Sequence, residues 1–182
     1  GKFVALPDGS KYGAYSTDGI NWTEMTMPEL PVYSAWETVT YGNGKFVAIV
    51  SQSANGAYST DGINWTRMIM PADRFWESVT YGDGKFIAVV YNSSVGAYST
   101  DGINWTEMTL PASDSWTSVT YGNGKFVAVA SSNSPTGAYS TDGINWIAMA
   151  MPANIYICAT YGNGKFVAGA SNSATGAYWE VA

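Results

Sequence analysis

Residues 76–90 read WESVTYGDGKFIAVV, and residues 96–105 read GAYSTDGINW. An Asp-Gly pair between two runs of β-forming residues is typical of a tight hairpin turn, because such residues tolerate positive φ. After this turn, apolar side chains occupy every position from Phe86 to Val90, so that strand has no face suited to water. The quoted stretch therefore predicts antiparallel β-structure that is covered on both faces.

The same text recurs along the chain with a period of about 40 residues. GKF followed by Val or Ile and Ala occurs five times, GAY occurs five times, and STDGINW occurs four times. A period of this length belongs to propellers and to some helical solenoids. Each unit is dense in Gly, Thr, Tyr and Val and has a turn signal every eight to twelve residues, which favours strands over helices.

Each unit predicts four short strands, A to D, which is the content of one propeller blade. In the quoted copy, strand A is WESVTYG, strand B is KFIAVVY, strand C is VGAYS and strand D is WTEM. We therefore predict an all-β chain, a five-bladed β-propeller of four-stranded antiparallel blades forming a single domain over residues 1–182. The predicted repeats, numbered 1 to 5 below, cover about 1–35, 36–75, 76–115, 116–154 and 155–182.

The terminal blades are predicted to be incomplete, because the chain opens in a strand B and stops in a strand C. Two incomplete blades in a five-bladed ring are the interpretation that we favour. A fragment of a longer array, completion by a neighbouring chain and a four-bladed ring with surplus strands are the alternatives. Unpaired edges in such an arrangement promote self-association.

The composition excludes several classes of partner. Fourteen acidic and eight basic residues give a net charge of −6, so a phosphate backbone is repelled and nucleic acid is not an expected partner. No apolar run has membrane-spanning length, and no membrane insertion is expected. The first residues lack the pattern of a signal peptide, and the expected location is extracellular, on a cell surface or on a virion. Cys158, the single cysteine, is expected to be a small buried apolar residue.

Catalysis is not expected from this composition. The chain has no histidine, which removes the commonest general base and the commonest metal ligand. A glycosidase with paired carboxylates stays formally open, but the acidic residues outside the repeated turn are scattered. Calcium at TDGIN is disfavoured because the distal Glu of a calcium loop is missing. We predict no catalytic residue, no cofactor and no metal.

The segment YSTDGINW resembles the Asp-box of the BNR repeats found in sialidase-like propellers, with one residue fewer between Asp and Gly. The longer unit is similar to repeats of bacterial and phage surface or tail proteins, and period and blade count resemble lectin propellers of the tachylectin type. The resemblance implies a propeller in which the Asp-box is a structural turn. Sialidase activity would need an arginine triad, and two arginines cannot form one. The residues predicted to build these turns are Asp18, Asp61, Asp101, Asp142, Trp22, Trp65, Trp105 and Trp146.

The carboxylate in this turn is expected to accept backbone N–H groups, and the Trp is expected to pack one blade on the next. These turns share one end of each blade with the A-to-B hairpins, and their sequence hardly changes between copies. The B-to-C and D-to-A loops share the other end, here called the variable face, and are rich in Ser and Asn with an aromatic residue entering strand A.

Sugars bind by stacking on aromatic rings and by hydrogen bonding to Asn, Ser and Asp, so a lectin-like glycan site is predicted on the variable face. The predicted ligand-binding residues are Trp36, Trp76, Trp116, Tyr156, Asn92, Ser93, Asn133, Asn172, Asp73 and Asp114. The alternative is that the aromatics serve the core and the loops are ordinary solvated connections. The chain would then be a structural or adhesive scaffold, or a protein-docking module, with a surface protein as partner. Near-identical copies fit a consensus-like repeat or part of a longer array.

Overall fold

The computed structural model describes residues 1–8, 10–31, 34–132, 136–171, 174 and 176–179. These residues form strands joined by turns and bends. None of them belongs to a helix that is long and apolar enough to cross a membrane. The strands are β1 (Phe3–Ala5), β2 (Tyr12–Ser16), β3 (Thr23–Thr26), β4 (Ala35–Gly42), β5 (Lys45–Ser59), β6 (Thr66–Gly82), β7 (Lys85–Val90), β8 (Ser93–Ser99), β9 (Thr106–Asp114), β10 (Trp116–Gly122), β11 (Lys125–Ala130), β12 (Thr136–Ser140), β13 (Ile147–Ala150), β14 (Tyr156–Gly162), β15 (Lys165–Ala170) and β16 (Ala177–Trp179).

The strands form antiparallel sheets in the orders β1-β2-β3, β4-β5-β6-β7-β8-β9, β10-β11-β12-β13 and β14-β15-β16. Two long strands each contain two predicted ones. Strand β5 covers strands B and C of repeat 2 and reverses at Gln52, whose φ is 58°. Strand β6 runs from strand D of repeat 2 into strand A of repeat 3. The all-β antiparallel prediction is confirmed, whereas a five-bladed ring is not established, because the described sheets do not close on themselves.

The A-to-B hairpins have the predicted turn chemistry. In the copy of repeat 3, Gly82 pairs with Lys85, and the two residues between them are Asp83 with φ 43° and Gly84 with φ 75°. The other three hairpins place Asn and Gly at the same positions, also with positive φ. Two successive positive φ values match the right-handed twist of the flanking strands, so the hairpin prediction is confirmed.

The hydrophobic core lies between neighbouring repeats, not inside any one sheet. In the cluster between repeats 2 and 3, Val47 and Met68 of the earlier repeat pack with Trp76 and Phe86 of the later one. Equivalent clusters join repeats 1 and 2, 3 and 4, and 4 and 5. Strand B of repeats 2, 3 and 4 is buried on both faces, as predicted, because each face touches a different neighbour.

The tryptophans of the repeated turn connect these sheets. Trp65 Nε1 donates to Met25 Sδ of the preceding repeat at 3.3 Å, and Trp146 Nε1 donates to Met108 Sδ at 3.2 Å. Trp105 packs on the cluster between repeats 2 and 3. Three of these rings, Trp65, Trp105 and Trp146, therefore contact the preceding repeat.

Tyrosine and glycine at the end of strand A form a second joint between repeats. A Cβ added to Gly82 would lie 2.0 Å from Cγ of Tyr121 in the next repeat, so the tyrosine ring occupies the place of a side chain. Gly42 and Gly122 receive Tyr81 and Tyr161 in the same way. Only glycine leaves room for this close contact, which repeats at three successive joints.

The first and last repeats lack a neighbour on one side. Phe3 and Val167 are exposed, although the equivalent side chains in repeats 3 and 4 are fully buried. Cys158, on β14, is also exposed. The expectation that Cys158 is buried is wrong, because no further sheet covers the outer face of repeat 5 in the described part of the chain.

Replacing Gly82 by Ala should lower the free energy of unfolding by about 1–3 kcal/mol, because the new methyl group overlaps the Tyr121 ring. Gly162→Ala is the matched control, since no atom lies within 4 Å of a Cβ at that position. The control should change stability by about 0.5 kcal/mol or less. Urea denaturation followed by tryptophan fluorescence measures both, and equal effects would contradict the tyrosine–glycine joint.

Candidate binding face

The four aromatics predicted to bind ligand do not reach the surface. Trp76 and Trp116 are 0% exposed, Tyr156 is 1% and Trp36 is 4%. Each lies in a cluster between two repeats. Because a buried ring cannot stack on a sugar, the structure places these residues in the core, which was the alternative interpretation.

A β-bulge at the start of each strand A explains this burial. In repeat 3 the pairing shifts between Trp76 and Ser78, so that Glu77 is an extra residue. Alternation alone would send Trp76 and Val79 to opposite faces, but the bulge turns both into the core. The same shift occurs in strands β4, β10 and β14.

The buried aromatics hold the D-to-A loops of the variable face in place. Trp76 Nε1 donates to the carbonyl of Ala72 at 3.2 Å, and Trp116 Nε1 donates to Ala112 at 3.3 Å. The Tyr156 hydroxyl donates to the carbonyl of Pro152 at 2.9 Å. These residues therefore shape the face from beneath without presenting their rings to a ligand.

Four of the six predicted polar residues lie on the variable face, where their hydrogen bonds mainly order its loops. Asp73 accepts from the Ala54 amide at 2.6 Å, and Asp114 accepts from the Ser115 amide at 2.7 Å. The Ser115 hydroxyl donates to Asn92 Oδ1 at 2.7 Å. Ser93 Oγ accepts from the Val95 amide at 2.9 Å. The other two predicted residues, Asn133 and Asn172, lie outside the described residues.

Sequence reasoning missed the aromatics that do reach solvent on this face. Phe75 is 49% exposed and Tyr91 is 38% exposed, and the Tyr91 amide donates to the Phe75 carbonyl at 2.9 Å. Arg74 lies beside Phe75 in the chain and forms an ion pair with Glu107 at 2.9 Å. The sequence did contain a sign of these aromatics, because they depart from the repeat: Ser131 and Ser171 occupy the position of Tyr91 in later copies.

The opposite end of the blades carries the repeated STDGINW turns. In repeat 2, the amides of Ile63 and Asn64 each donate to Asp61 Oδ1 at 2.8 Å, and Asn64 Nδ2 donates to Oδ2 at 2.8 Å. Hydrogen bonds from the Asn64 amide and side chain hold the pKa of Asp61 well below its usual range. The Asp61 carboxylate therefore accepts hydrogen bonds from its own turn.

Glu77 lies near enough to a second carboxylate, that of Glu37, to feel its charge. Burial, and then the charge of Glu37, raise the pKa of Glu77. Burial, and then Asp8, raise the pKa of Glu37. Sequence analysis treated these acids as scattered, although Glu37 and Glu77 occupy the same position of successive repeats. Among the described residues, no group of three or more acidic or cysteine side chains is arranged to hold a metal ion.

Comparison with known proteins identifies the family. Residues 2–109 match the DUF6242 beta propeller domain. The chain belongs to this family. No curated protein shows significant sequence similarity to this DUF6242 propeller.

Solved structures share the fold at low sequence identity. A streptogramin B lyase structure superposes with a TM-score of 0.77 at 14% identity, over 96% of this chain and 63% of that one. A nidogen/laminin complex gives 0.64 at 10% identity, over 92% and 70%. YCF48 bound to D1 peptide gives 0.61 at 12% identity, over 95% and 67%. The DUF6242 propeller thus spans less than two thirds of the lyase chain that it matches.

The expectation that the chain is not an enzyme is wrong as a conclusion from this architecture, because propellers of the same fold include a lyase. At 14% identity, the likeness shows the fold alone and transfers no activity.

Replacing Asp61 by Ala should lower the free energy of unfolding by about 1–2 kcal/mol, because the turn loses the acceptor of four hydrogen bonds. Asp61→Asn keeps one oxygen for the two amides and should cost less. Asp83→Asn is the control, since the other hairpins already have Asn there. Chemical denaturation at pH 7 measures the stability of each variant. The role of the carboxylate would be contradicted if Asp61→Ala lost no more stability than Asp83→Asn.

The same turns should make the stability of the protein fall at acidic pH. A carboxyl group whose pKa is lowered by folding stabilises the protein above its usual value of 3.8, and this stabilisation is lost as the pH falls further. The native protein should lose stability below about pH 4. Thermal denaturation between pH 2 and 7 should show a shallower loss for Asp61→Asn than for Asp83→Asn.

The effect of Glu77→Gln on stability at pH 7 should be opposite in sign to that of the Asp61 variants. Folding raises the pKa of Glu77, so its charge destabilises the fold at pH 7 and does not do so below its usual value of 4.5. The Gln variant should gain up to about 0.5 kcal/mol at pH 7, and the gain should vanish near pH 4. Glu24→Gln, on the exposed strand β3, is the control for denaturation at both pH values.

Proposed function

We infer that this DUF6242 propeller binds a protein partner through its variable face, with Phe75 and Tyr91 as the anchoring side chains. The observation that carries the inference is the pair of solvent-exposed rings, joined through their backbones, on a face whose recurring strand A aromatics are buried. Burying these rings under a partner would remove a large apolar area from water.

The surroundings of the two rings suit a protein interface. Aromatic residues and arginine are enriched in the centres of interfaces, where they contribute most of the binding energy. Arg74 lies next to Phe75 and is only partly exposed. Asn92 follows Tyr91 and is tied to Ser115, so the polar rim is already ordered. An ordered rim lowers the entropy cost of association.

The solved structures with this fold support a docking role. One is a nidogen/laminin complex, and another is YCF48 bound to D1 peptide. Both structures contain a polypeptide partner. Docking also fits the predicted location at a cell surface or virion, which stays a prediction.

Glycan recognition is the second candidate, and the burial of Trp36, Trp76, Trp116 and Tyr156 weakens it. Those rings were the predicted stacking surfaces, and they are at most 4% exposed. Phe75 and Tyr91 still expose rings that can stack on a sugar, with Asn92 next to Tyr91 in the chain. The experiment below therefore includes glycans.

Selection of a displayed random-peptide library on the purified chain tests the proposal. The selected peptides should bind the Phe75→Ser/Tyr91→Ser double variant at least about tenfold more weakly than the native chain, which is a loss of about 1.4 kcal/mol or more. Fluorescence anisotropy with labelled peptides measures the affinities, and thermal denaturation verifies that the variant folds.

Ile147→Ser is the matched control, since Ile147 is equally exposed on strand β13, near the opposite end of a blade. Two results would refute the assigned face. One is that Ile147→Ser weakens peptide binding as much as the double variant does. The other is that the selected peptides bind the double variant as tightly as the native chain. No selected peptide, together with glycan-array binding that the double variant loses, would replace protein docking by glycan recognition.

A further inference from the structure

Positive charges are concentrated at one end of the blades. Five of the six lysines follow an A-to-B hairpin or, in repeat 1, stand in the equivalent GKF segment: Lys2, Lys45, Lys85, Lys125 and Lys165. These lysines lie at the end opposite the variable face. Aspartates of the same end balance their charge, namely Asp18, Asp61, Asp101 and Asp142 of the repeated turns and Asp83 of a hairpin.

The variable face carries the excess negative charge of the protein. Its carboxylates lie in the B-to-C and D-to-A loops or at the start of a strand A, and they are Asp8, Glu29, Glu37, Asp73, Glu77 and Asp114. Lys11 and Arg74 are the two cations on this face. Lys11 Nζ lies 5.4 Å from the centroid of the Tyr12 ring, and Arg74 is paired with Glu107. The face as a whole is therefore negatively charged.

One of these carboxylates is fixed beside Tyr91. Asp114 pairs in register with Ser93, two residues after Tyr91 in the chain. The next residue, Ser115, donates its hydroxyl proton to Asn92 Oδ1 at 2.7 Å. The D-to-A loop that carries Asp114 is thereby tied to the loop that carries the exposed ring.

Phe75 lies between two further carboxylates in the chain, Asp73 two residues before it and Glu77 two residues after it. Asp73 Oδ1 is held by the Ala54 amide at 2.6 Å. Burial, and then the charge of Glu37, raise the pKa of Glu77. A cation placed beside these two glutamates would offset their mutual repulsion.

We propose that the partner held by Phe75 and Tyr91 is a basic segment of another protein, with an apolar side chain between lysine or arginine residues. This inference rests on the proposed function, since the two rings provide the anchor. The apolar side chain packs on the rings, and the positive side chains reach Asp73, Glu77 and Asp114. Lysine and arginine also bind the faces of aromatic rings, so a cation beside the anchor interacts with both groups.

Charge distinguishes the kinds of segment that two exposed rings can hold. An acidic segment would meet carboxylates on both sides of the rings, and like charges across an interface are strongly unfavourable. A neutral segment would take Asp73 and Asp114 out of water without supplying a cation in return. A basic segment avoids both costs. Attraction to the negative face also speeds its association.

Peptides selected from the displayed library provide the test. They should carry net positive charge, and replacing their Lys and Arg residues by Gln should weaken binding about tenfold, because each exposed ion pair contributes a factor of about 1.5 to 5. Raising NaCl from about 0.1 M to about 1 M shortens the Debye length from about 10 Å to about 3 Å. This change should weaken the basic peptides and leave their Gln versions nearly unaffected.

The double variant Glu77→Gln/Asp114→Asn removes two of the carboxylates and keeps an oxygen acceptor at each position. It should weaken the basic peptides by about fivefold. Glu24→Gln/Asp83→Asn is the matched control, because it makes the same two chemical changes on strand β3 and in a hairpin, away from the variable face. The control should change the affinity less than about twofold, since salt screens distant charges. Fluorescence anisotropy measures the affinities, and thermal denaturation verifies that both variants fold.

The possible failures separate this inference from the proposed function. Selected peptides that lack positive charge, yet lose affinity for Phe75→Ser/Tyr91→Ser, would overturn the basic partner and leave the docking role intact. Equal weakening by the two charge variants would also overturn it, because net charge alone would then be responsible. Peptides that bind Phe75→Ser/Tyr91→Ser as tightly as the native chain, or a selection that yields no peptide, would remove the docking role and this inference with it.

Discussion

Strand B of every repeat carries apolar side chains on both of its faces, and no single sheet can remove both from water. The sheets must therefore stand face to face, and the core must lie between them. Ile87 and Phe86 illustrate the division, since these sequence neighbours belong to two different clusters on opposite sides of one sheet. The joints, the loops at the two ends and the exposed terminal faces all follow from this arrangement. Burial of the intervening side chains is the dominant stabilising contribution.

The parts of the fold that depend on local chemistry could be predicted from the sequence. Asn-Gly and Asp-Gly positions fixed the hairpins, and the unbroken apolar run from Phe86 to Val90 identified a strand buried on both faces. The repeated STDGINW segments depend on the same kind of chemistry, because a carboxylate followed by Gly and Asn accepts the hydrogen bonds of its own turn. The position of the first sheet relative to the last could not be predicted, because it depends on the angle between each pair of packed sheets.

The binding face was harder to predict because one added residue changes the direction of its aromatics. Trp76 starts a strand, and simple alternation does not reveal the bulge at Glu77 that turns its ring inward. Phe75, only one residue earlier, points to solvent. Comparison between copies drew attention to the aromatic position that recurs, whereas the exposed rings occur at positions where the copies differ. The recurring aromatics that enter strand A pack between the sheets, and the exposed rings of Phe75 and Tyr91 lie where the copies differ.

The tyrosine–glycine joint has a consequence for how such a protein changes in length. The strands A of repeats 3 and 4 carry both halves of the joint, since the tyrosine of each packs on the glycine of the preceding repeat and its own glycine receives the tyrosine of the next. A duplicated or deleted unit of about 40 residues would therefore bring matched connectors at both of its boundaries. Unequal recombination within the gene could lengthen or shorten the array without a compensating mutation, while point changes remained free to diversify the loops.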